Sequence, residues 1–333
     1  MGRLVRILIF IALAWSGYWY VAGYGLRSAI VAWFSAQEAR GWQADYAEIA
    51  TSGYPARHQT RLTSPALADP SSGTAWQAEW LELDSPAIWP GRQTMRFAET
   101  PQRLSYLDQT AIVSARDMQA ELHLQPGVAL ALERMALTSG PWSISREGEA
   151  LASAGDLTLL MEQTETPETY RIDLEAAAFS PGEDLRRLMR SSTALPRNFQ
   201  TLKADMTVRF DKRWDRSALE ERRPQPVRVD LALAEMKWGE LRLFATGKLD
   251  VDTQGIPTGE VALKAENWRE MLAMAHAAGA LPDQAIDPAT RVLNLLAGLG
   301  GNPNALDVQL NFRDGFVALG PIPLGPAPRL ILR

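Results

Sequence analysis

Cysteine is absent from the 333 residues. That excludes disulfide staples, thiol catalysis and cysteine metal sites. Strong charge of one sign is missing too: the formal net charge is −5 and no basic run occurs. A nucleic-acid footprint is therefore excluded. No Walker loop, GxGxxG or GxSxG elbow is present, which removes the usual phosphate cradles and the serine-hydrolase signature. Histidine is scarce. His58, His123 and His276 are far apart, none with a ligand-spaced partner, so no histidine zinc site is expected. His123 falls on the polar side of an alternating run and reads as a surface residue.

One acidic cluster imitates a metal loop. Asp250, Asp252, Gln254 and Gly255 have the opening spacing of a calcium loop, but its closing bidentate Glu is replaced by Val261, with Glu260 one residue early. The flanks alternate like strands, so Asp252 to Gly255 reads as a hairpin turn. Carboxylate pairs such as Asp205 with Asp211, or Asp230 with Glu235, do not stand out from solvent-facing strand positions. No catalytic constellation emerges, so the chain reads as not an enzyme, with no cofactor and no metal.

What is present starts at the N-terminus. Residues 4–22 form an almost wholly apolar run, long enough to cross a bilayer core. Arg3 and Arg6 precede or open it, and Trp15, Tyr18, Trp19, Tyr20 and Tyr24 crowd its far end. Basic flanks stay cytoplasmic and aromatic rings favour the headgroup layer. The reading is residues 1–24 as cytoplasmic tip and transmembrane anchor, with the remainder outside: a single-pass inner-membrane protein, its C-terminal domain in the periplasm. Ala12 and Ala14 also have the small-x-small form of a signal-peptidase site, but cleavage there would expose a new apolar start.

Residues 25–41 continue as a helical stalk, with Gly41 as its stop. Residues 42–333 then change to a period of two, in two related halves at about 42–195 and 196–333. Strands are expected at 59–63, 76–83, 94–97, 118–124, 128–132, 142–144, 157–160, 170–174 and 202–210. Trp76, Trp80 and Trp89 read as large groups for a sheet face. The pattern is clearest in Val227, Val229, Leu231, Leu233, then Leu241, Leu243, then Val261, Leu263. Helices are expected after Ser180, Pro181 and Glu183, after an Asn267 cap, and after Asp287-Pro288. The prolines of 320–328 exclude a central strand. The fold class is mainly β with helical insertions (α+β), a long antiparallel, curved sheet following one transmembrane helix.

Several segments together resemble an uncharacterised family of bacterial membrane-anchored proteins, a domain of unknown function: the Gly53-Tyr54-Pro55 turn, the run GKLDVDTQGIPTGEVALKAENW at 247–268, and LNFRDGFVALGPIPLGPAP at 310–328. More loosely, the spacing of Gly247, Leu249, Asp252, Gly255 and Gly259 is similar to that in AsmA-like envelope proteins. That likeness implies a periplasmic β-groove and a part in lipid transport or envelope homeostasis. The expected function is a non-enzymatic anchored envelope protein that binds lipid on an apolar inner face of Val229, Leu231, Leu241, Leu243, Val261 and Leu263. The alternative is an anchored scaffold or assembly factor making protein contacts through the charged segment 211–223 and the proline-rich tail.

A reporter that works only outside the cytoplasm, fused after Arg333, is expected to be active. Moving positive charge from Arg3 and Arg6 to just beyond Tyr24 is expected to impair or invert insertion. An inactive reporter on the unaltered chain contradicts this orientation.

Overall fold

The computed structural model describes residues 2–89, 91–182, 196, 198–277, 283–299, 302–320 and 322–332. The chain forms two compact units, Met1–Leu137 and Thr138–Arg333.

The first unit opens with α1 (Gly2–Ala39), one uninterrupted helix. Gly41, at φ 90°, turns the chain out of it, a conformation that costs glycine no Cβ clash. The strands are β1 (Gln43–Asp45), β2 (Glu48–Ser52), β3 (Arg57–Thr63), β4 (Ala66–Asp69), β5 (Thr74–Gln77), β6 (Trp80–Pro86), β7 (Arg92–Phe97), β8 (Gln102–Tyr106), β9 (Gln109–Ala115) and β10 (Gln119–Leu124). They pair antiparallel in two ladders. One runs β1-β4-β5-β8-β9 and the other β2-β3-β6-β7-β10.

The chain changes ladder at 46–47, 64–65, 78–79, 98–101 and 116–118. These bends lie side by side. The Ser64 amide donates to the Glu79 carbonyl at 2.7 Å, Ala78 to Pro65 at 3.2 Å, and Ala47 to Thr63 at 2.9 Å. Ser64 and Asp117 take positive φ, and Pro65, Ala78 and Ala98 are buried. Small residues let the chain fold over at such a corner, where strands switch sheets by bending. The run 76–83, expected as one strand, is therefore two, with Ala78 at the bend.

A stripe of α1 at helical spacing lies on the second ladder. Trp19 and Phe34 are buried, and Phe34 packs with Ile49 and Leu62, flanked by Ile30 and Trp33. Gly23 permits the close approach: a Cβ there would lie 3.4 Å from the His58 ring. In the same ladder Asp84 is buried between Arg57 at 2.6 Å and Arg96 at 3.1 Å.

In the second unit β11 (Leu132–Ser139) spans the boundary, and then follow β12 (Trp142–Arg146), β13 (Glu149–Ala154), β14 (Leu157–Gln163), β15 (Thr169–Pro181), β16 (Phe199–Phe210), α2 (Ser217–Glu220), β17 (Pro226–Trp238), β18 (Leu241–Val251), β19 (Pro257–Glu266), α3 (Trp268–Ala277), α4 (Asp283–Leu299), β20 (Ala305–Arg313), β21 (Phe316–Leu319) and β22 (Ile322–Pro326). From β14 to β22 each strand pairs antiparallel with the next in sequence. The proline-containing β22 pairs with β21, where missing donors cost little. The architecture is mainly β, antiparallel, behind one N-terminal apolar helix, as the alternation predicted.

Local readings needed correction. No strand covers 128–130: Val128 is 81% exposed and Leu130 takes φ 51°, so β11 begins only at Leu132. A turn at Glu147-Gly148 leads from β12 into β13, a strand that the sequence reading omitted. Asn267 does not cap α3 in the ordinary way. It sits at φ 58° and donates its side-chain amide to the Glu240 carbonyl at 2.6 Å. Ser180 and Pro181 end β15, and the rest of the helix expected after them lies outside the described residues.

Burial alone would raise the Asp84 carboxyl, but its hydrogen bonds and charge contacts with Arg57 and Arg96 outweigh that and hold it below its ordinary 3.8. A lowered folded value means the contribution is full above 3.8 and is lost as pH falls through the folded value. Asp84→Ala is expected to cost about 1–3 kcal/mol at neutral pH and to flatten the acid limb of a stability-against-pH curve. Urea unfolding across pH 2–7 checks both.

Candidate binding face

Strand register gathers the candidate residues of the second unit. Side chains alternate between faces along a strand, so paired positions extend one face across the sheet. One row runs Tyr170, Val208, Val229, Leu249. The next runs Met161, Ile172, Met206, Leu231, Gly247, Val261, Leu310, Leu319. A third runs Leu159, Leu174, Ala204, Ala234, Ala245, Leu263, Val308, and a fourth includes Leu202, Met236, Leu243, Ala265 and Leu306. Leu241 pairs with Trp238 at the margin. Val229, Leu231, Leu241, Leu243, Val261 and Leu263 thus share one face. The bulge between Leu231 and Ala234 keeps both on it; the extra residue shifts the alternation.

The opposite face is charged. Arg171 pairs with Asp205 at 2.8 Å, Lys203 with Glu175 at 2.7 Å, Lys248 with Asp230 at 3.0 Å and Arg228 with Asp250 at 3.1 Å. These cross-strand pairs are solvent-exposed and each contributes little stability. They settle which face meets water.

The apolar face is sealed at its margins. At one, Phe199, Trp238 and Leu241 pack together with Met236 and Met271. Beside them α3 and α4 cover the sheet, Trp268 and Ala297 packing on Ala265 and Leu306, with Leu243 and Val308 against the cluster. Arg269 links the helices, donating to Asn294 Oδ1 at 2.6 Å. At the other margin Tyr170 and Phe210 are buried and meet edge to face, with Trp214 on Phe210. Between the margins Ile172, Leu174, Met206, Leu231, Leu263 and Leu310 are half-buried, while Met161 and Val261 in the same rows are buried. Gly247 fits beneath Val261, where a Cβ would meet the neighbouring strand at 2.4 Å.

Other candidates take structural places. Asp252 Oδ1 accepts from the Gln254 amide at 2.8 Å and the Ile256 amide at 2.9 Å, closing the turn before β19. His58, which spacing alone did not single out, is buried; its Nε2 lies 3.0 Å from the Trp19 carbonyl and its ring stacks on Trp19. Trp89, expected on a sheet face, is 53% exposed outside any strand. In 211–223, Arg222 pairs with Asp211 at 2.6 Å and Arg216 with Glu220 at 3.0 Å. Gln225 is bonded twice to the Leu332 backbone, tying the tail to this segment. A hollow of about 800 Å³ in the first unit is lined by Asp45, Gln77, Arg103 and Ser105 among others. Among the described residues no three His, Asp or Glu side chains converge as a metal site would require.

The second half of α1, the ladders and this face lie within a stretch that matches a bacterial family over residues 19–328, described as uncharacterized protein conserved in bacteria (DUF2125). The chain belongs to that family. No curated protein matches it. The likeness of 247–259 to AsmA-like envelope proteins gains no support from this match. Membership identifies relatives without assigning the family a reaction. The N-terminal helix is long and apolar enough to cross a membrane, and the family match begins inside it, at Trp19.

Sealed and half-covered positions are expected to respond differently. Leu241, among the most buried side chains, is expected to lose about 2–5 kcal/mol as Leu241→Ala. Leu263→Ala leaves no sealed cavity and is expected to cost about 1–2 kcal/mol. Leu241→Glu is expected to prevent folding, because it buries an unpaired charge, whereas Leu263→Glu is expected to fold. Urea unfolding and the yield of folded protein measure the contrast.

Proposed function

We propose that the chain is a non-enzymatic, single-pass inner-membrane protein whose folded part lies in the periplasm, and that the apolar face of its second unit holds lipid acyl chains. One observation carries this reading: a contiguous apolar face spans β14 to β21 and is half-covered between sealed margins. Half-covered apolar surface of this extent favours an apolar occupant over water. Acyl chains suit it because the middle rows offer no hydrogen-bonding side chain to a polar ligand. Protein contacts through 211–223 and the tail have less support, since the charges named there are satisfied within the segment and Leu332 is bonded to Gln225.

The test is native mass spectrometry of the full chain released gently from membranes. Wild type is expected to carry phospholipid. Leu231→Glu and Leu263→Glu, folded by circular dichroism, are expected to carry at least tenfold less. Lipid-free wild type, or variants that retain their lipid, would overturn the proposal.

A further inference from the structure

The length of α1 and the place where the first unit grips it fix how that unit meets the membrane. Leu4, Phe10 and Leu13 are each at least 66% exposed, and the free part of the helix ends at Trp15, whose indole donates to the Pro55 carbonyl at 3.1 Å. Residues 4–14 give only about 17 Å of helix, against a hydrocarbon core of about 30 Å. A helix that spans must therefore take its next two turns into the bilayer as well. Those turns are already gripped. Ser16 Oγ lies 2.8 Å from Tyr54 Oη, Tyr18 Oη donates to the Ala87 carbonyl at 2.7 Å, and the Trp19 indole donates to the Arg57 carbonyl at 2.8 Å.

We infer that the β2–β3 turn at 53–56 and the loop after β6 at 87–89 form a collar seated in the lipid headgroup layer around α1. The apolar run ends near residue 22, so Trp15 and Tyr18 lie about 10 and 6 Å below its end, the depth at which amphipathic surfaces rest in the interface. The collar has the chemistry for that layer. Tyr54, Ile88 and Trp89 are 50%, 73% and 53% exposed, beside Tyr18 and Tyr20 of the helix. The turn at 53–56 and the loop at 87–89 contain no charged residue. Tyr and Trp favour this boundary because one part of the ring system is apolar and another hydrogen-bonds. The inference rests on α1 crossing a bilayer and is independent of lipid in the second unit.

The absence of cysteine provides the test. Single substitutions Ile88→Cys, Tyr54→Cys and Glu79→Cys carry a nitroxide label on the full chain in phosphatidylethanolamine and phosphatidylglycerol vesicles. Glu79 is an exposed control at the bend between β5 and β6, near the strand positions that pack on Phe34, about 28 Å along the helix from Trp15. Labels at Ile88 and Tyr54 are expected to favour oxygen over an aqueous nickel chelate at least threefold more than the label at Glu79 does. Nickel accessibility at Ile88 and Tyr54 equal to that at Glu79 would overturn the inference, whatever lipid the second unit carries.

Discussion

The contact of α1 with the second ladder of the first unit, closest where Gly23 passes over His58, is the constraint on which the rest depends. In folded proteins most helical stability comes from packing one face and not from propensity. Here α1 is held by an apolar stripe from Trp19 to Phe34 and by polar groups that the neighbouring strands satisfy. His58 does two jobs at that point. Its ring stacks on Trp19, and its Nε2 meets the Trp19 carbonyl. The same helix is long and apolar enough to span a bilayer, so the contact would join a membrane it crossed to the strands with no linker between them.

The strands then solve a single problem, covering one apolar face each. In the first unit the chain bends over at small buried residues and returns along a second ladder. In the second unit the meander runs strand to neighbouring strand, and α3 and α4 cover only part of its apolar side. The charged side needs no cover. Its cross-strand pairs contribute modestly to stability and serve mainly to hold register, since a one-residue slip would turn every Leu and Val to water.

Much of this was legible beforehand. Strict alternation in Val229 to Leu231, Leu241 to Leu243 and Val261 to Leu263 has one physical meaning, a strand with one apolar face, and register brings these residues together. The corners were not legible. A bend at Ala78-Glu79 interrupts no pattern that a period of two would register, so β5 and β6 read as one strand. At 128–132 the pattern itself misled, because Leu130 alternates correctly yet adopts positive φ. His58 was hidden for another reason: its partner, the Trp19 carbonyl, is backbone on a distant element and leaves no trace in spacing. Coverage of the apolar face is likewise a tertiary property. Alternation gives Leu241 and Leu263 the same reading, although one is sealed by Phe199 and Trp238 and the other is half-open.

That difference bears on what the second unit is for. Completing the core with another helix would stabilise the fold, since burying a Leu fully contributes about 1.5–3 kcal/mol. Replacing the half-covered side chains with Thr or Gln would remove the apolar surface at small cost. The chain does neither. It spends Trp238, Phe199 and Trp268 on the margins and leaves Ile172, Met206, Leu231 and Leu263 partly open between them. Close packing at the rim with incomplete cover within is the distribution that the proposed acyl-chain site requires: rigid edges to hold the sheet's register, and open positions between them to meet an apolar guest.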